Sequence, residues 1–290
     1  MRDVLKALGR SSIRVTDIAA QYWCERQMEY NYVYGRKVVT QAIRNGTAVH
    51  ARLEDETNVP VQLSPKSYAD VLYKILYTGM VELGALKRNG VAREIQAYGS
   101  ISGFRVVGKI DQLELSNGQV TVLEDKTKSN GNEPSDAQLL TNRIQVMVYR
   151  KMLEDAAQGA YSPDAYARDY GISRMRITDG FSVQLDALGV PKSEQTLQSA
   201  AQSYFSSLRS MGSLSDSLRV RYINQATGSE IRTYEFKYDA AEMRDITDFV
   251  MAYWRGARDA MPVQEQDKWK CRFCQFYGKE CKAWWPQGTL

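Results

Sequence analysis

The chain has 290 residues, long enough for one large domain or two small ones. Its 43% hydrophobic and 25% charged residues are ordinary for a globular protein, and no apolar run reaches the length of a transmembrane helix. The net charge of +4 permits a nucleic-acid partner without requiring one.

Met1 to Arg14 is basic but short, and lacks the apolar core and cleavage site of a secretory signal. An intracellular location is expected, in the nucleus, mitochondrion or cytoplasm. Thr16-Asp17 reads as a helix N-terminus, with a helix to about Tyr34 and apolar positions at Ile18, Tyr22 and Met28. A second helix is expected from Thr40 to about Thr57. Ser64-Pro65 opens a long helix to about Lys87, with Val71, Ile75, Met80, Val81 and Leu83 as core positions. Asn89-Gly90 ends it.

Val91 to Tyr98, Phe104 to Leu115 and Val120 to Lys126 read as three strands, followed by a loop from Ser129 to Pro134. Ser135-Asp136 begins a helix to about Asp155. Residues 156 to 180 show no firm period, so an irregular excursion is expected there. A helix at about Ser193 to Ser210, strands at Leu218 to Asn224 and Ile231 to Tyr238, and a last helix from about Ala240 to Arg258 complete the reading. This order argues for one α/β domain with a helical N-terminal part.

The hairpin around Asn117-Gly118 carries the first chemical signal. Asn-Gly suits a two-residue type I′ turn, which needs φ > 0 at both central positions. That turn puts Leu115 opposite Val120, Leu113 opposite Val122, and Asp111 opposite Glu124. Alternation then places both carboxylates on the apolar face, with Cβ atoms roughly 5 Å apart. At an effective dielectric near 20 they repel by on the order of 3 kcal/mol. A divalent cation would reverse the sign, and carboxylate oxygens are ligands that Mg²⁺ and Mn²⁺ prefer. Lys109 and Lys126 share the face, so a neutral cross-strand cluster is the competing reading.

Cys271, Cys274 and Cys281 lie close together near the C-terminus, and Cys24 is the fourth cysteine of the chain. The Cys-x-x-Cys spacing suits a metal or cluster, with a Cys₄ zinc site, disulfides or an ordinary buried Cys24 as alternatives. A site joining all four would staple the chain ends together. His50 is the one histidine, which removes most Ser-His-Asp and Cys-His schemes. On a helix it shares a face with Glu54, as Gln145 does with Tyr149. Arg143 and Arg150 flank that second pair. The 18 tyrosines could in part stack on unpaired bases.

Taken in order, Gly46…His50…Glu54, Gly108-Lys109-Ile110-Asp111, Glu124-Asp125-Lys126-Thr127-Lys128 and Gln145-Val-Met-Val-Tyr149 resemble the RecB-like branch of the PD-(D/E)XK nuclease superfamily. The opening Val15-Thr16-Asp17…Gln21-Tyr22-Trp23-Cys24-Glu25 and the closing cysteines look like the exonuclease V family, whose pattern is shared with the CRISPR-adaptation and AddB nucleases. The resemblance spans roughly residues 13 to 154 and 262 to 284.

It implies a restriction-endonuclease-like α/β core, a mixed sheet flanked by helices, with termini stapled by an iron–sulfur cluster. The expected single domain has a helical part at about 13–90, a catalytic core at about 91–155, an insertion and remaining core at about 156–260, and a tail at about 261–290. The implied activity is Mg²⁺- or Mn²⁺-dependent hydrolysis of single-stranded DNA from an end. Asp111, Glu124, Lys126, Gln145 and Tyr149 would be catalytic. His50, Asp111, Glu124 and the main-chain carbonyl of Asp125 would hold the metal, and Cys24, Cys271, Cys274 and Cys281 a [4Fe–4S] cluster. Glu94 is a further acid near the site. Implied partners are single-stranded DNA and a single-strand-binding protein. The alternatives are a CRISPR-adaptation-type nuclease trimming DNA ends, a non-catalytic nucleic-acid-binding module, and a zinc-stabilised interaction protein.

Overall fold

The structure, a computed structural model, describes residues 3–35, 41–55 and 61–284, without the side chains of 42, 43, 54 and 55. The expected ends of the second helix at Thr40 and Thr57, and the side chain of Glu54, lie outside the described residues. A short helix α1 (Val4–Ala7) and strand β1 (Ile13–Arg14) precede helices α2 (Val15–Val33), α3 (Gln41–Asp55) and α4 (Tyr68–Asn89). Strands β2 (Val91–Ile101), β3 (Phe104–Ser116) and β4 (Gln119–Lys128) follow. Then come helices α5 (Asp136–Gln158), α6 (Pro163–Tyr170), α7 (Asp179–Ala187) and α8 (Leu197–Arg209). Strands β5 (Ser213–Asn224) and β6 (Glu230–Lys237), helix α9 (Ala240–Trp254) and a 3₁₀ segment at Glu265–Phe273 complete the chain.

Among the described residues the strands form one six-stranded mixed sheet in the order β1-β3-β4-β5-β6, with β2 also paired to β3. The architecture is the expected α/β one. β2, β3 and β4 form an antiparallel meander, whereas β4 and β5 run parallel. A parallel pair needs a crossover, and α5 through α8 supply it. Residues 156 to 180 are therefore helical over much of their length, not an irregular excursion. Ser162 caps α6 with Pro163 at its first turn, and Gly171 ends it in the left-handed region. Tyr98, Tyr166, Tyr170, Tyr204 and Phe205 pack edge and face in one aromatic cluster beneath. Much of the chain's tyrosine thus goes into packing.

Two other expectations shift. α4 starts at Tyr68, because Ser67 and Asp70 form a reciprocal capping box. Its buried face is Leu72, Tyr73, Leu76, Leu83 and Leu86, while Val71 is exposed. α2 is interrupted at Cys24, whose φ of −171° and ψ of 111° are not helical. The break lets the Gln27 N–H donate to Cys24 Sγ at 3.4 Å, as to an N-cap side chain.

The chain ends meet through a buried polar network. Gln21 Nε2 donates to Glu25 Oε1 at 2.9 Å, and Trp254 Nε1 donates to Gln21 Oε1 at 2.7 Å. Arg258 and the Met261 N–H both donate to Glu25, whose side chain is 2% exposed. Residues 258 to 261 are therefore tied to α2 by protein groups alone.

Candidate active site

The β3–β4 hairpin turns at Asn117 (φ 52°) and Gly118 (φ 75°), as a type I′ turn demands. The register is the expected one, with Leu115↔Val120 and Leu113↔Val122 paired. It stops at Gln112↔Leu123, one step before Asp111 would meet Glu124. Beyond that point β4 follows β5, with Glu124↔Val220 and Lys126↔Tyr222 in register, while β3 follows β2. The two strands part into a wedge. Asp111 Oδ2 bridges its apex by accepting the Asp125 N–H at 2.9 Å. Asp111 and Glu124 are therefore neighbours across an opening, not a ladder pair.

Glu124 is 2% exposed. Its Oε1 accepts from Lys126 Nζ at 2.7 Å and from Gln145 Nε2 at 2.6 Å, and Gln145 Oε1 accepts from Lys126 Nζ at 3.0 Å. The three groups form a closed ring of hydrogen bonds, with Gln145 supplied by α5. Glu124 Oε2 is buried and has no hydrogen-bond partner among the described residues. Burial pushes the Glu124 carboxyl up to about 8; Lys126 pulls it down, and Asp111 pushes it further up. Burial disfavours the Lys126 ammonium, but Glu124 and Asp111 outweigh that and hold it above the usual lysine value.

On the other side of the wedge, α3 brings His50 Nδ1 to 3.9 Å from Asp111 Oδ2. Gly46, one turn earlier, lets this helix approach β4. A Cβ there would lie 2.7 Å from Thr127 Oγ1. Glu94 joins from β2. Ligand atoms of His50, Glu94 and Asp111 all lie within 4.8 Å of one another. Glu94 has φ 57°, unusual for a non-glycine residue inside a strand and costing about 1–3 kcal/mol. That twist turns its carboxylate towards the cleft. Lys109 pairs with Glu94, so it does not neutralise the Asp111–Glu124 pair.

Two further residues are held by packing and pairing. The Asp125 side chain points to the opposite sheet face, fully buried between Arg93 Nη1 at 2.9 Å and Arg221 Nε at 2.7 Å. Alternation forces this, since Glu124 and Lys126 take the cleft face. Tyr149 is 1% exposed, and its hydroxyl donates to the Lys109 carbonyl at 2.8 Å. Its ring fills the space over Gly108, where a Cβ would stand 2.5 Å from Tyr149 Cε1. The pair Gly108–Tyr149 locks α5 onto β3. Arg143 and Arg150, which flank Gln145 and Tyr149, and Arg219 on β5 make internal pairs. Arg143 meets Glu242, Arg150 donates to Ser215 O at 3.0 Å, and Arg219 meets Glu114 at 2.9 Å. Glu94 is the expected further acid near the site, whereas Arg93 and Arg221, which hold Asp125, lack a sequence signal of their own.

The wedge forms part of the floor of a cleft of about 1230 Å³. Its lining includes His50, Glu94, Lys109, Asp111, Lys126 and Lys128, the loop residues Ser129, Asn130 and Asn132, and the rings of Trp23, Trp269 and Phe273. Trp23 also lines a second, smaller cavity together with Cys24, Cys271, Cys274 and Cys281. All four cysteines are free thiols, so the disulfide reading fails. Burial pushes the Cys24, Cys271 and Cys274 thiols up, and neighbouring sulfur atoms push the same way. The sulfur atoms are not drawn into a grouping as tight as that of His50, Glu94 and Asp111.

The family described as "Exonuclease V - a 5′ deoxyribonuclease" matches residues 3–122, 115–211 and 190–285. Exonuclease V of Danio rerio is 24% identical over 281 residues, covering 94% of this chain and 70% of that protein. A mitochondrial exonuclease V of Debaryomyces hansenii is 38% identical over 64 residues, 22% of this chain and 10% of its own. Among solved structures, the crystal structure of SSO0001 aligns with 93% of this chain and 91% of its own at a TM-score of 0.46 and 13% identity.

Proposed function

The chain belongs to the exonuclease V family of deoxyribonucleases, and from this we propose that it hydrolyses single-stranded DNA from an end, with divalent metal held at the β3–β4 wedge. The observation that carries the reading is the pair Asp111 and Glu124, two carboxylates in an open strand wedge with Lys126 hydrogen-bonded to one of them.

The residues fit a metal. Glu124 Oε2 is a buried oxygen with no donor among the described residues, and His50, Glu94 and Asp111 supply one imidazole and two carboxylates close together. Mostly oxygen donors of this kind favour Mg²⁺ or Mn²⁺. Asp111, Glu124, His50 and the Asp125 carbonyl would hold it, with Glu94 as a further ligand. When bound, the metal supplies charge neutralisation on the scissile phosphate and makes water a better nucleophile.

The chain's own groups do the rest. Lys126 is kept charged and donates to the developing negative charge on phosphate. Gln145 fixes the ammonium by accepting from it, so little reorganisation is needed at the moment of reaction. Tyr149 holds the β3 backbone next to Asp111. The four cysteines fit an iron–sulfur cluster, because they are free thiols lining one cavity and thiolates are the ligands such clusters take. We assign [4Fe–4S] there.

Labelled single-stranded DNA incubated with Mg²⁺ or EDTA tests the activity. Cleavage with Mg²⁺ alone supports it, and binding without cleavage in both supports a non-catalytic module. The family description points to entry from a 5′ end, so a 5′ label should be released first, and covalently closed circles should resist. Rapid cutting of circles would count against an end-dependent enzyme.

Metal binding should also depend on pH. Glu124 has a carboxyl raised above its unfolded value. Its contribution to stability is therefore present at low pH and is lost as pH rises through about 8. The metal binds the ionised form, so Mg²⁺ should raise the melting temperature more at pH 8.5 than at pH 6. Glu124→Gln should flatten that difference. Equal shifts at both pH values would oppose metal ligation by Glu124.

A further inference from the structure

We infer that Trp23, Trp269 and Phe273 form a base-stacking rail on the rim of the cleft, the part of the substrate site that holds unpaired bases of a single DNA strand. The inference deepens the nuclease reading and rests on it.

The three rings line the same cleft as Asp111 and Lys126. They follow one another edge to face. Trp23 and Trp269 have ring centroids 5.7 Å apart at 88°, and Trp269 and Phe273 6.4 Å apart at 80°. Phe273 is 76% exposed, so its ring is not consumed by the core. Trp23 and Trp269 are half-buried, and a large apolar ring left in water beside them at a charged cleft marks a contact surface. Lys270 fixes the indoles. It is 3% exposed, pairs with Asp267 at 2.8 Å, and sets Nζ 5.0 Å from the Trp23 ring and 6.0 Å from the Trp269 ring. The cation–π contacts orient the rings before any ligand arrives.

The remaining lining is of a different kind. Lys128, Ser129, Asn130 and Asn132 offer an ammonium, a hydroxyl and amides. A cleft lined by both rings and hydrogen-bond donors suits a strand that offers unpaired bases to the rings and phosphates to the donors. Paired bases hide their faces in the stack, so a duplex cannot use the rail. Trp23 precedes Cys24, and Trp269 and Phe273 bracket Cys271 in sequence. The same turns therefore carry both the thiols and the rings.

The test uses the full chain in EDTA, which prevents metal-dependent cleavage. Binding of fluorescent oligothymidylate is compared with an abasic deoxyribose-phosphate strand of equal length by anisotropy. Wild type should prefer the base-containing strand. Phe273→Ala and Trp269→Ala should each weaken oligothymidylate binding on the order of tenfold, with abasic binding unchanged. Phe273→Trp should restore the preference. Phe273→Ala should leave the melting temperature and thiol-site metal unaltered, because that ring is exposed. If wild type binds both strands alike, or both probes weaken together in the variants, the rail is overturned and the rings only shield the thiol cavity. A failed nuclease reading looks different, since wild type would then give no cleavage with Mg²⁺, or cleavage that Asp111→Asn leaves unchanged, whatever the binding preference.

Discussion

Asp111→Asn, Glu124→Gln and Lys126→Ala should each lower Mg²⁺-dependent cleavage of single-stranded DNA by a thousandfold or more, about 4 kcal/mol of transition-state stabilisation. Asn is the informative substitution at 111. Its side-chain oxygen can still accept the Asp125 N–H that Asp111 accepts at 2.9 Å, so the apex of the wedge stays closed while the charge is lost. An alanine would leave that N–H unpaired and cost about 1–3 kcal/mol of stability, confusing the reading. Glu124→Gln keeps the shape of the ring with Lys126 and Gln145 and removes the anion. Lys126→Ala removes the donor and leaves Glu124 bonded to Gln145 alone. The measurement is single-turnover cleavage with circular dichroism as a control on folding. Wild-type rates in all three variants would dispose of the wedge as the active site.

The second large effect concerns the thiols. The purified protein should be brown, with broad absorbance near the blue, and Cys24→Ser or Cys274→Ser should lose iron, colour and several kcal/mol of stability, a fall of roughly 10 °C or more in melting temperature. Cys24 reaches the other cysteines because α2 breaks there, and a serine would keep the break without the soft ligand. The damage should be local. Residues 258 to 261 remain tied to α2 through Glu25, so hydrogen exchange should rise in residues 262 to 284 and little in α9. Colourless protein with stoichiometric zinc would replace the cluster with a Cys₄ zinc site.

Much of the candidate site was legible because its signals are local. Asn117-Gly118 dictates the turn, the turn dictates the register, and alternation then puts Glu124 and Lys126 on one face with Leu113 and Leu115. The spacing from Gln145 to Tyr149 likewise follows from helix geometry. Other parts depended on neighbours distant in sequence. Residues 156 to 180 lack a clean period because Tyr161, Tyr166 and Tyr170 pack on several partners at once. Arg143 and Arg150, which flank the Gln145–Tyr149 pair, meet a carboxylate of α9 and a carbonyl of β5. Tyr149 shares a helix face with Gln145, yet a close approach to Gly108 turns its hydroxyl to a backbone carbonyl.

The sequence by itself determined the α/β class, the meander with its type I′ turn, and the candidacy of Asp111, Glu124, Lys126, His50 and the four cysteines, through short-range geometry, residue chemistry and the ordered motifs that resemble the nuclease family. Only the tertiary structure decided that Asp111 and Glu124 face each other across parted strands, that Glu94 joins His50 and Asp111, and that Lys109 pairs with Glu94. The physical reason is that β3 and β4 are each drawn to a different neighbour. β2 holds one and β5 the other, and no local rule encodes where two ladders compete and a sheet opens.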